Sequence, residues 1–267
     1  MRLFSALSLF LILIVVRADV SAGQTKPIVD LELNREEAER LWEQAIAAKG
    51  GRERLYSITN LQFSIRDKAW WNLRRVPNDM EALFVFPDKS WEWSDQTGTI
   101  FGFHISVVNY EKGFHWAYFG HGKGGEASSQ VLDPRGIDAI TIKQLDFLME
   151  TRWVKPIPLS VERGKVGRHA VDIVHTVVEG FRGANNKVSF ALDRETHLPR
   201  QVIYHTMSFG KEYSGGVPLA DYTDINGIQM PQKVYGKRTV FQLNVDYNER
   251  IFEQPPSREA GIDAWKK

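Results

Sequence analysis

The chain contains no cysteine. Disulfides, thiolate metal sites and cysteine nucleophiles are excluded together. An excess of either sign of charge is also missing, because 34 Lys and Arg against 33 Asp and Glu leave a formal balance of +1. That removes the electrostatic case for nucleic acid or for an anionic membrane surface acting on the molecule as a whole. No two of the 7 histidines stand two, three or four positions apart. The nearest spacing is six, between His115 and His121 and equally between His169 and His175. Metal-ligand spacing is therefore missing, and the histidines read as solvent or strand-edge groups. No Gly-x-Ser-x-Gly elbow occurs. The Gly-rich stretch 120–125 lacks the phosphate-loop spacing and no helix opens directly after it. Carboxylates such as Glu92 and Asp95, or Asp221 and Asp224, read as ordinary surface charge. No catalytic constellation, metal site or cofactor motif emerges, and the chain reads as a non-enzyme.

Long apolar runs are missing too. Leu3–Val16 is the longest, and a membrane span needs ~20 apolar residues. With Arg2 before it and Val20-Ser21-Ala22 after it, the run reads as the core of a secretory signal over residues 1–22, cleaved before Gly23. An uncleaved N-terminal anchor is the alternative. A signal places the protein in the periplasm or outside the cell. Residues 23–33 read as a linker, 34–256 as one domain and 257–267 as a C-terminal tail.

A helix is predicted from Asn34 as N-cap, with Glu37 completing a capping box. Ala38, Leu41, Trp42, Ala45 and Ile46 make one apolar stripe, and Gly50-Gly51 end it. A short helical turn is expected around Arg54–Ser57. From Asn60 the period changes to two. Leu61, Phe63 and Ile65 alternate with Gln62, Ser64 and Arg66, and further strands are predicted at 82–86, 91–94, 100–108 and 114–119. A second helix is predicted over 137–153.

From His169 to Pro256 the pattern is an antiparallel meander. Phe241, Leu243, Val245 and Tyr247 alternate with Gln242, Asn244, Asp246 and Asn248, so one face is dry and one wet. Asn226-Gly227 suits a type I′ hairpin. Asp193-Arg-Glu-Thr196 is a turn opened by a side chain able to accept from its own backbone, and Leu198-Pro199 restarts an extended chain. The sum is about ten or eleven antiparallel strands with two or three helices. So long a sheet with one dry face must curl. The expected fold is mainly β: a single curved antiparallel half-barrel with helices covering its concave face.

Asp193-x-x-Thr196-x-Leu198-Pro199, then Asp224-x-Asn226-Gly227-Ile228-x-Met230-Pro231, then Asn248–Phe252 and Pro255-Pro256 resemble the C-terminal half of the LolA/LolB-like lipoprotein-carrier superfamily. The Ala-rich helix closing in Gly50-Gly51 resembles the start of many members; residues 70–160 resemble nothing in it. The resemblance implies the same half-barrel and a carrier that shields the acyl chains of a lipid or lipoprotein, with no cofactor. Without a lipobox cysteine, the chain is closer to the soluble carrier than to the lipid-anchored receptor. Partners would be acyl chains and a membrane-bound donor or acceptor protein, with the carrier a monomer. The runner-up is a lipid-sensing or scaffold domain of the same fold that binds a protein segment; an enzyme with a strand-built site is the third reading.

Aromatic residues supply the candidate lining, with 8 Trp, 8 Tyr and 15 Phe. Trp70 and Trp71, being neighbours on a strand, point to opposite faces, so one must turn outward or meet a covering loop. Trp91 and Trp93 share a face, read here as the dry one. The hydrophobic cavity is expected to be lined by Trp42, Phe63, Trp71, Phe84, Trp91, Trp93, Phe103, Trp116, Tyr118 and Leu148.

Overall fold

The computed structural model describes residues 31–99, 102–120, 127–131, 139–178, 187–208, 211–256 and 264–267. The signal, most of the linker and the stretch 121–126 lie outside the described residues. Helix α1 (Leu31–Lys49) is followed by the short α2 (Arg52–Tyr56), and α3 is Ala139–Leu148. The first wing of strands comprises β1 (Asn60–Ile65), β4 (Asp79–Val85), β5 (Lys89–Gln96), β6 (Gly102–Asn109), β7 (Phe114–Gly120) and β8 (Ala127–Val131). Between β1 and β4, β2 (Lys68–Trp71) and β3 (Arg74–Pro77) pair only with each other. The second wing is a meander: β9 (Pro156–Val166), β10 (His169–Val178), β11 (Lys187–Asp193) and β12 (Pro199–Ser208), then β13 (Lys211–Ile225), β14 (Ile228–Val234) and β15 (Lys237–Leu243).

Thirteen strands form one antiparallel sheet in the order β8-β7-β6-β5-β4-β1-β15-β14-β13-β12-β11-β10-β9. The strand count exceeds the ten or eleven read from the sequence. β8 and β9 stand at opposite ends, so the sheet is an open, curved half-barrel. The two wings are joined by the pairing of β1 with β15, with Phe63 opposite Phe241.

The turns behave as their chemistry dictates. Asn226 and Gly227 both adopt positive φ, 56° and 81°, closing the β13–β14 hairpin as type I′. Asp193 Oδ1 accepts the backbone N–H groups of Glu195 and Thr196, both at 3.0 Å. These bonds and the Arg200 guanidinium outweigh burial and hold its carboxyl below the usual range.

The apolar stripe of α1 is buried as expected: Ala38, Leu41, Trp42, Ala45 and Ile46 all face the sheet. Its start is not. The helix begins at Leu31, so Asn34 lies inside it rather than capping it. Asn34 Oδ1 instead accepts the N–H of Val161 on β9 at 2.6 Å, and Glu37 pairs with Arg40. At the other end Lys49 donates to the Gln229 carbonyl on β14. Fifteen residues of helix run ~22 Å, and five strand spacings from β9 to β14 run ~24 Å. Helix α1 therefore crosses the strands of the second wing.

Two further expectations are corrected. The second helix stops at Leu148, because Met149 turns left-handed at φ 66° and Thr151 Oγ1 takes the N–H groups of Trp153 and Val154. The last strand stops at Leu243. Asn244 adopts φ 52°, with its Oδ1 accepting from the Thr59 N–H and its Nδ2 donating to the Ser57 carbonyl. Asparagine tolerates this conformation. The alternation breaks there: Phe241 and Leu243 stay on the helix side, whereas Val245 and Tyr247 join the opposite face.

Candidate functional site

The sheet has an apolar cluster on each face. On the helix side, α3 drives Phe147 between the strands, with ring centroids 5.5 Å from Phe63 and 4.9 Å from Phe241. Phe63 stacks on Phe84 at 6.0 Å, and Trp42 of α1 meets Phe190 edge-on at 4.9 Å. Side chains of α1 and α3 and both wings make this one cluster. A few polar contacts fasten the helices. Glu150, just after α3, accepts from Trp42 Nε1 at 3.1 Å, from Arg52 Nε at 2.8 Å and from the Tyr56 hydroxyl. Burial opposes its charge, but these donors win and its carboxyl lies below the usual range. Lys49 is 1% exposed. It faces the Gln229 carbonyl, Met230 Sδ and the Tyr222 ring, and burial lowers its ammonium to about 7.

On the opposite face, Leu83, Val85, Trp91, Trp93, Ile105, Val107 and Tyr118 form the second cluster. The end of the chain covers it. Phe252, in a single 3-10 turn (Glu249–Phe252), and Trp265 are buried against these strands. Residues 264–267, at the far end of the stretch read as a tail, thus lie against the sheet.

These clusters divide the expected lining. Trp42, Phe63, Phe84 and Leu148 come together under the helices. Trp91, Trp93 and Tyr118, with Phe103 and Trp116 beside them, lie on the other face. Trp91 and Trp93 do share a face, but not the concave one read from the sequence. Leu83 pairs with Trp91 and Glu81 with Trp93, while Ala82 and Phe84 point toward the helices. Trp71 belongs to neither cluster; it is half-buried on the β2–β3 ribbon. Its neighbour Trp70 is the one that turns outward, 71% exposed, and Leu73 at the ribbon tip is 95% exposed.

The face that Trp91 and Trp93 leave to the helix side is polar. Cross-strand register puts Ser90, Glu92 and Ser94 of β5 beside Val108, Ser106 and His104 of β6, and Ser106 and Val108 beside Ala117 and His115 of β7. Ser106 Oγ and His115 Nε2 are 2.9 Å apart. From α3, Lys143 faces both Glu92 and Asp146, and Asp146 Oδ1 accepts from the Tyr204 hydroxyl at 2.8 Å. Burial pushes the Glu92 carboxyl up against the pull of Lys143. It pushes the His104 imidazole down to about 4, helped by His115, and lowers His115 as well. The sequence pattern suggests ordinary surface charge for Glu92 and solvent or strand-edge positions for His104 and His115. Same-face alternation on consecutive strands was the available signal, once the register was known. Among the described residues, no three His, Asp or Glu side chains approach closely enough to hold a metal.

A second such group sits on the outer face of the meander, where Ser189 Oγ bonds His175 Nδ1 at 2.8 Å and His205 Nε2 at 2.9 Å. Glu162 lies 3.8 Å from His175.

One open antiparallel sheet carries its helices on the concave side, as the sequence resemblance implies. No family model matches the chain, and no curated protein does. Among solved structures it is similar in fold to a LolA superfamily protein from Nitrosomonas europaea, with TM-score 0.44 and 10% identity over 81% of this chain and 97% of that one. A putative outer membrane lipoprotein-sorting protein domain from Vibrio parahaemolyticus gives TM-score 0.41 and 12% identity over 82% and 97%. A DUF1329 family protein from Desulfovibrio piger gives 0.45 and 9% over 84% and 98%. Among the described residues no helix is long and apolar enough to cross a membrane.

Proposed function

We propose that this protein is an exported, non-enzymatic carrier that holds the acyl chains of a lipid or lipoprotein between its half-barrel and its helices. One observation carries the reading. The concave face is apolar from β4 across to β10, yet its cover is helices docked mainly by side-chain packing. Moving α1 off the sheet exchanges helix–sheet burial for chain–sheet burial. Each CH₂ gained from water is worth ~0.8 kcal/mol, so partition alone supplies the affinity and no chemistry is needed.

The β2–β3 ribbon supports a meeting with a bilayer. Trp70 stands opposite Arg75 and Trp71 opposite Arg74 across the ribbon. The tip residues Asn72 and Leu73 both have positive φ, 47° and 62°. A leucine held left-handed costs ~1–2 kcal/mol, and here no packing offsets it. Tryptophan, an exposed leucine and arginines suit the membrane interface, where each cation near anionic lipid contributes ~1 kcal/mol. The near-neutral balance of the whole chain conceals this local arrangement.

Native mass spectrometry of protein purified without detergent, followed by solvent extraction, tests the reading. Lipid adducts, and binding of an acyl-chain probe after delipidation, are expected. Protein that is ligand-free and refuses the probe would exclude it. One observation favours a scaffold reading instead, in which the sheet binds another protein's segment: Phe63, Phe84, Phe147, Phe190 and Phe241 already fill the space under the helices. A ligand-free protein that captures an extended peptide along β9 would establish that alternative.

A further inference from the structure

We infer that the helix-side face of β5, β6 and β7 is a headgroup site, in which Ser90, Glu92, His104, Ser106 and His115 receive an uncharged, hydroxyl-rich headgroup. The inference rests on the carrier reading and assigns the chemical class of its ligand. Position is the first argument. Ala82 and Phe84 of β4, in the apolar cluster, are the direct cross-strand partners of Glu92 and Ser90. The concave face therefore changes from apolar to polar within one strand spacing, ~4.8 Å. An amphiphile with its chains under α3 has its polar end on this wing.

The groups present select the chemistry. Ser90 Oγ is fully buried and has no hydrogen-bond partner among the described residues, an unusual state for a buried hydroxyl. Among the described residues, no hydrogen-bond donor reaches the half-buried Glu92 carboxylate; Lys143 acts on it through its field alone. Burial lowers both imidazoles; a neutral imidazole carries one N–H donor and one acceptor nitrogen, and His115 already shares its Nε2 with Ser106. A phosphate would sit beside Glu92, and the cation that faces Glu92, Lys143, is already paired with Asp146 at 3.4 Å. A quaternary ammonium brings no donor for Glu92 and meets Lys143. A sugar or glycerol hydroxyl donates to Glu92 and Ser90 and accepts from imidazole N–H groups at no cost in unpaired charge. The three rows of residues cover ~10 by ~14 Å, enough for one such headgroup.

The test uses the full chain with N-phenylnaphthylamine as an apolar probe. The competitors are an alkyl β-glucoside, an alkyl phosphate and an alkyltrimethylammonium of one chain length, each below its micellar concentration. The glucoside is expected to displace the probe at about tenfold lower concentration than the other two, equivalent to ~1.4 kcal/mol. Glu92→Ala, and Glu92→Gln as the shape-preserving variant, should abolish that preference and leave probe affinity unchanged. If the probe binds but the glucoside shows no preference, or keeps it in both variants, the headgroup site is wrong and the carrier reading stands. A best-bound alkyl phosphate overturns the site equally. If the wild-type protein takes up neither probe nor amphiphile, both fall together.

Discussion

Trp265 donates its indole N–H to Glu81 Oε1 at 2.7 Å across a sequence separation of 184 residues. The same carboxylate accepts from Gln62 at 3.0 Å and from Arg66 at 2.7 Å. A buried charge on the outer face of β4 is thus satisfied partly by the last residues of the chain. Trp265 is 3% exposed and covers the second apolar cluster. Trp265→Ala should cost ~3–5 kcal/mol through the void it leaves. Trp265→Phe should cost ~1.5–3 kcal/mol through the lost bond to a charged acceptor. Guanidinium titration separates them, and an Ala variant as stable as wild type would show that this segment covers nothing.

Trp93 lies on that face as well, with its indole N–H buried and without a hydrogen-bond partner among the described residues. Trp93→Ala is expected to lower stability by ~3–5 kcal/mol and to leave the affinity for an acyl-chain probe unchanged. Thermal unfolding beside a probe titration decides the matter. Weakened binding at an unaltered melting temperature would instead place the ligand under the C-terminal segment.

Burial sets the Lys49 ammonium at about 7, against 10.5 for the free side chain. Below pH 7 both folded and unfolded chains carry the proton, and the folded state bears the full cost of a buried charge. Between pH 7 and pH 10 only the unfolded chain holds it, so stability should rise with pH across that window. The gain is on the order of a few kcal/mol. Lys49→Met should be more stable than wild type at pH 7 and nearly flat from pH 7 to 9.5. Chemical denaturation at three pH values measures the slope, and parallel curves for the two proteins would refute the assignment.

Gly227 has φ 81°, and a Cβ there would stand 2.8 Å from Arg54 Nε. Gly227→Val should therefore cost more than ~1 kcal/mol, whereas Asn226→Asp should be mild because aspartate also tolerates a left-handed backbone. Equal, small effects on the denaturation midpoint would reject the type I′ turn.

Where local chemistry decides structure, the sequence could be read directly. The Asn226-Gly227 and Asp193–Thr196 turns and the α1 stripe are set by neighbours within a few positions. The curled sheet follows from counting strands with one dry face. Three features depended on distant partners and were not legible. Asn34 looks like a cap until Val161 arrives from β9 to claim its side chain. The alternation through Tyr247 looks unbroken because nothing near Asn244 reveals that Ser57 and Thr59 will hold it left-handed. Alternation also showed that Trp91 and Trp93 share a face, but only pairing with β4 fixes which one. That choice relocated half of the expected lining and exposed Glu92, His104 and His115 as a group. The ribbon's outward Trp70 was implied by its pairing with Trp71, while its strained tip was not.

The β1–β15 seam joins residues 61–65 to residues 239–243. A chain made from its N-terminus therefore has α1 and the first wing in hand long before β15 exists to complete the concave face, and Trp265 comes later still. Contacts of such high sequence separation make for slow folding, because loop closure precedes any reward from packing. During that interval the edge of β1 that β15 will pair has no strand beside it, and Phe63 and Phe147 lack the Phe241 ring beside them. The half-barrel thus ties productive folding to arrival of the final strand, and a truncation before Lys237 should yield an aggregating fragment rather than a smaller domain.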